Sequence, residues 1–133
     1  DVSGFSPLGG PERAWRSAEQ TLPTEVEWTT DETLDASPIA YGLMHTDSNQ
    51  HVNSLVYPRL FEEAALRLAG PTLASKRCCF ADVAFRKPCF AGESYRTRLR
   101  LYRDGNGIGA ALSLHGGADG SGRGHAFAHL WFE

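Results

Sequence analysis

Long apolar runs are missing from this sequence, so no segment is expected to span a membrane. Cysteine is scarce, with Cys78, Cys79 and Cys89 the only three in 133 residues. They form no CxxC pair and leave one thiol over under any pairing, which argues against a disulfide framework. Buried free thiols in a reducing cytoplasm are the expectation. A basic excess is absent too: the formal net charge is -3, and no nucleic-acid partner is expected where phosphate contacts would need Lys and Arg in surplus. There is no Gly-x-Ser-x-Gly elbow, so a serine hydrolase finds no support. Residues 1–20 are polar, contain Gly4, Gly9, Gly10 and Pro11, and lack the apolar stretch of a signal peptide. They read as a flexible N-terminal segment, followed by one domain over 21–133.

What is present is ordinary globular composition, 41% hydrophobic and 22% charged, enough for one core without metal or disulfides. One segment has helical periodicity. Between Ser54 and Ala69 the apolar residues Val56, Leu60, Ala64 and Leu68 recur at helical spacing, widened by Leu55, Phe61 and Ala65. Asn53 or Ser54 can cap its start. Pro58 falls in the first turn, where its missing N–H costs nothing, and Gly70-Pro71 supplies a stop.

The remainder has strand character. Residues 24–28 alternate, 38–45 form a short apolar run, and 77–85 are rich in strand formers. Tyr95, Thr97, Leu99 and Leu101 alternate with Arg96, Arg98 and Arg100. Asp104-Gly105-Asn106-Gly107 signals a hairpin into a strand over 108–114. In the last strand, 125–132, Ala126, Ala128, Leu130 and Phe132 share one face. A single long helix must lie across one face of an antiparallel sheet to bury its stripe, which predicts an α+β layer pair.

Polar residues concentrate just before the helix. Asp47, Asn49, His51 and Asn53 stand at alternate positions, leading to Tyr57. Asp, Asn and Ser also serve as turn and cap residues, so any one of these has a structural use. As a set they suit acyl-transfer chemistry. The helix's first N–H groups lack intrahelical acceptors and can hold a carbonyl oxygen as it becomes an oxyanion. A carboxylate there can activate water or attack the carbonyl. An amide can orient that water, and an imidazole can move a proton to the departing thiol.

The run Asp47-Ser48-Asn49-Gln50-His51-Val52-Asn53 with Tyr57 resembles the signature of hot-dog-fold thioesterases, especially acyl-ACP thioesterases and the 4-hydroxybenzoyl-CoA thioesterase group. Asp82-Val83-Ala84-Phe85-Arg86-Lys87-Pro88, then Gly92-Glu93, is similar to the strand and turn that follow the helix in that superfamily. The resemblance implies a hot-dog fold, acyl-CoA or acyl-carrier protein as substrate, and two hot-dog units pairing as a homodimer or as paired repeats. It implies Asp47 as the catalytic carboxylate, Asn49 as its partner and His51 as the imidazole, with Asn53, Tyr57, Glu62 and Glu63 facing the substrate. No cofactor or metal is implied. One departure stands out: Pro88 occupies the place where the closest relatives have a strand glutamate before a cysteine. Asp47 then acts alone, borrows Glu62 or Glu63, or the chain binds acyl thioesters without hydrolysing them. A hot-dog hydratase is the other reading, although Gln50 replaces the proline of its signature and His51 comes one place early.

Three further features read as structure. Arg96, Arg98, Arg100 and Arg103 suggest a solvated basic strip, with carrier phosphate as the sharper alternative. His125 and His129, grouped with Phe127 and Trp131 on one strand face, suggest packing rather than a metal pair. Cys89 could act as a nucleophile with His51, but beside a proline turn it reads as filler.

Overall fold

A computed structural model describes residues 26–42 and 56–133. The predicted helix is present as α1, Val56–Ala69. Its buried residues Tyr57, Phe61, Ala64 and Ala65 repeat every three or four positions, so one stripe faces the sheet. It ends at Gly70, whose φ of 69° lies in the left-handed region that glycine tolerates. The predicted stop is only a break, because Pro71–Ala74 forms a short second helix, α2. Proline is acceptable there because the first helical position needs no N–H donor.

Four long strands follow: β4 Cys78–Phe85, β5 Ser94–Asp104, β6 Gly107–Gly116 and β7 Gly124–Phe132. Three two-residue strands precede the helix, β1 Glu27–Trp28, β2 Thr33–Leu34 and β3 Ile39–Ala40, and all three pair with β5. The main order is β1-β5-β6-β7-β4, antiparallel throughout. The alternation in β5 points Tyr95, Thr97, Leu99 and Leu101 at the core. Ala110, Leu112 and Leu114 of β6 and Ala126, Ala128, Leu130 and Phe132 of β7 complete the floor on which α1 packs. This is the hot-dog fold, one long helix wrapped by an antiparallel sheet. Among the described residues no helix is long and apolar enough to cross a membrane.

Several expectations need correction. Only Cys89 is a buried thiol; Cys79 is exposed and Cys78 partly so, although all three are unpaired. The reason is topological, since among the described residues β4 pairs only with β7, and it carries an irregularity between Cys78 and Phe80. The arginines are not a solvated strip. Arg96 donates to the carbonyls of Asp35, Ala36 and Ala118, and Arg98 to that of Gly120. The Arg100 guanidinium stacks 3.6 Å from the centre of the Trp28 ring. These groups pin the 31–37 and 117–120 loops to the sheet. Arg103, five residues after Arg98, falls on the opposite alternation and does not belong with the other three.

Candidate active site

The segment carrying Asp47, Asn49, His51 and Asn53 lies outside the described residues. The described residues on either side of it are Tyr41-Gly42, just after β3, and Val56-Tyr57 of α1. Tyr41 and Tyr57 are both buried, with ring centroids 6.3 Å apart. Tyr57 also packs edge-on against Phe85, the last residue of β4. The Gly92 N–H donates to the Tyr41 carbonyl at 2.9 Å.

A cluster of polar side chains lies on the core side of this region. Cys89 within it is fully buried. Burial pushes the Cys89 thiol up to about 11 and drives the Tyr57 and Tyr41 hydroxyls well above the usual phenol range. The Tyr95 hydroxyl accepts from the Phe90 N–H and donates to Glu93, each at 2.9 Å. Its ring stands edge-on to the His125 imidazole, with centroids 5.0 Å apart.

His125 corrects the face assignment made from sequence. His115 pairs with Gly124 but Leu114 pairs with Ala126, so one extra residue, His125, is inserted in β7. Such a bulge re-aims a side chain, and His125 turns away from Phe127, His129 and Trp131 toward Tyr95 and Cys89. Its Nδ1 is 3.1 Å from the Pro88 carbonyl and 3.7 Å from the Cys89 sulfur. A carbonyl can only accept, so Nδ1 carries the proton. It therefore cannot serve as a base for Cys89, which fits the reading of Cys89 as filler. Gly116 makes room, because a Cβ there would lie 3.3 Å from Nε2. Desolvation holds His125 below the ordinary imidazole value, partly opposed by the Pro88 carbonyl. Pro88 thus contributes a carbonyl, and no carboxylate, where the resemblance led one to expect glutamate.

The sequence-predicted substrate residues do not converge. Tyr57 points inward, while Glu62 and Glu63 are more exposed and line a groove of about 300 Å³ with Arg59, Leu66, Lys76, Cys78 and Phe132. Among the described residues no group of three His, Cys, Asp or Glu could hold a metal. His125, Tyr95 and Tyr41 were missed from sequence. The one available signal was the glycine pair, Gly116 and Gly124, flanking the loop before the bulge.

No family model matches the sequence, and no curated protein matches it. Solved structures do. A candidate thioesterase from Pseudomonas putida superposes with a TM-score of 0.67 at 15% identity, covering 77% of this chain and 72% of that one. A 1,4-dihydroxy-2-naphthoyl-CoA thioesterase from Synechocystis gives 0.65 at 14% identity, covering 75% and 80%. A hypothetical protein from Staphylococcus aureus, solved in complex with CoA, gives 0.65 at 14% identity, covering 78% and 71%. At this level of identity the likeness establishes the shared fold, the one found in thioesterases of the hot-dog superfamily.

Proposed function

We propose that the chain hydrolyses an acyl thioester, carried by coenzyme A or an acyl-carrier protein, to a free acid and a thiol. The observation that supports this reading is the fold shared with solved thioesterases, together with the run Asp47, Asn49, His51 and Asn53 that precedes α1 in the sequence. The thioesterases that share the fold, and the relative solved with CoA, support the substrate class.

In the proposed reaction the helix start polarises the thioester carbonyl. Asp47 takes a proton from an attacking water, or attacks the carbonyl carbon itself to give a mixed anhydride that water then hydrolyses, and Asn49 orients the attacking group. The C–O bond forms, the C–S bond breaks, and the thiolate takes a proton from His51. Asn53 faces the substrate, and Glu62 and Glu63 border the groove along α1. The test is release of free thiol from a panel of acyl-CoA and acyl-carrier thioesters by the wild-type chain, and its loss in Asp47→Asn.

The absence of a carboxylate at Pro88 favours one second reading, a module that binds acyl thioesters without turnover. Tight binding with no thiol released would select it. Two units are proposed to pair through β4, which among the described residues has a neighbouring strand on one side, β7. The three unpaired thiols, Cys79 exposed among them, suit a reducing cytoplasm.

A further inference from the structure

Residues 26–42 form a strap that runs antiparallel along β5 and joins its ladder at three short places. β1 faces Tyr102 and Arg103, β2 faces Arg98 and Leu99, and β3 faces Ser94 and Tyr95. Between these places single hydrogen bonds bridge the gap. The Thr29 N–H donates to the Leu101 carbonyl and the Asp35 N–H to that of Thr97, each at 2.8 Å. The Leu101 N–H donates in the other direction, to the Thr30 hydroxyl at 3.0 Å. Two-residue strands hold little by themselves, so the strap needs a fastening elsewhere.

That fastening is a charge. Among residues 26–40 Asp35 alone is buried, at 3% exposure, while Leu34 on the same stretch faces outward. The Asp35 carboxylate accepts from the Ala36 N–H at 2.8 Å and takes Arg67 with both oxygens, Nε at 2.8 Å and Nη2 at 2.5 Å. Arg67 stands in the last turn of α1. Arg96 of β5 grips the same point, donating to the carbonyls of Asp35 and Ala36. One residue therefore ties the strap to both layers, to the sheet through its N–H and to the helix through its carboxylate. A bidentate pair of this kind is strong and directional. It is also conditional, because without Arg67 the buried carboxylate is left uncompensated.

We propose that the Asp35–Arg67 pair is a latch, and that the strap it holds opens as one unit while the rest of the sheet stays closed. A segment with so few buried apolar contacts belongs at the low end of local stability, below the strands that form the floor of the core. Opening uncovers the β5 edge and the flank of the layer between α1 and the sheet. The latch does not depend on the thioester reading, and its test needs no turnover.

The experiment is amide hydrogen exchange on wild type, Asp35→Asn, Arg67→Met, Arg67→Lys and Glu32→Gln. The Thr29, Asp35 and Leu101 amides report on the strap, since each donates across its border with β5. In the wild type these three should share one exchange free energy, lower than that of the β6 and β7 amides. In Asp35→Asn and Arg67→Met all three should exchange faster by the same factor, about tenfold or more, with β6 and β7 unchanged. Arg67→Lys keeps the charge but not the planar fork and should fall between these variants and the wild type. Glu32→Gln loses only the exposed partner that lies 4.0 Å from Arg98 and should match the wild type. Wild-type strap amides as slow as those of β6 and β7 overturn the proposal, and this result needs no variant to fold. Faster exchange confined to Asp35, leaving Thr29 and Leu101 as they were, or spread evenly over the whole sheet, overturns it as well.

Discussion

Two buried histidines lie four residues apart on β7 and face opposite sides of the sheet. His125, turned by the bulge, reaches the core side toward Tyr95 and Cys89. His129 remains on the outer face, where the Tyr102 hydroxyl lies 2.6 Å from its Nε2. Around it are Phe80, edge-on at 5.4 Å between centroids, and Trp131, stacked on Tyr102 at 5.9 Å. Both imidazoles are buried and both are pushed below the ordinary value by desolvation. Burial and a shifted proton equilibrium therefore do not distinguish a structural histidine from one bound up with function. Their neighbours differ: His125 meets the Pro88 carbonyl and Cys89 on the core side, while His129 closes a polar and aromatic layer on the outer face.

The largest difference should come from glycine. A Cβ at Gly109 would overlap the Tyr102 ring, which is itself held by His129 and Trp131 and has nowhere to move. Gly109→Ala should cost about 3 kcal/mol, the upper end for overpacking, read by denaturant unfolding, with kcat per folded molecule unchanged. A loss of kcat at full stability would break the comparison.

Next is His129→Phe, which keeps an aromatic ring but leaves the Tyr102 hydroxyl buried without its imidazole. The expected cost is about 2 kcal/mol, again with kcat per folded molecule retained. His125→Gln, measured alongside, keeps a side-chain donor for the Pro88 carbonyl and should cost less. If the two variants cost the same, the distinction between the outer layer and the core-side cluster is wrong.

The mildest effect concerns pH. A histidine whose folded value is depressed favours the neutral form in the fold. Its contribution is thus complete above the unfolded value near 6.5 and is lost as pH falls through the lower folded value. His115, His125 and His129 all shift in this direction, each chiefly from desolvation. Stability measured from pH 8 down to pH 5 should hold above about 6.5 and then decline. In His129→Phe the decline should be shallower, and an unchanged slope would contradict the assignment.

Much of the fold was legible because it rests on local patterns. The α1 stripe, the Gly70 break, the β5 alternation and the turn at 104–107 are each written within a dozen residues. The errors have a common cause, which is that they depend on what lies across the sheet. The bulge at His125 exists only relative to His115 and Leu114 on β6. The exposure of Cys79 follows from β4 lying at the edge, and the arginines are held by carbonyls 22 to 61 positions away. The polar motif was recognisable from its residue types alone. The core-side cluster was not, since Tyr41, Tyr57, Cys89, Tyr95 and His125 are scattered over 85 positions and meet only in the fold.

The central claim is the proposal that Asp47 drives cleavage of an acyl thioester. Thiol release from an acyl-CoA panel by wild type and Asp47→Asn, with folding of both verified by denaturant unfolding, tests it most directly. The account predicts clear turnover of at least one thioester by the wild type and a loss of about 100-fold or more in kcat for Asp47→Asn, in the range that removal of a general base brings. Undiminished turnover by a folded Asp47→Asn chain would contradict it.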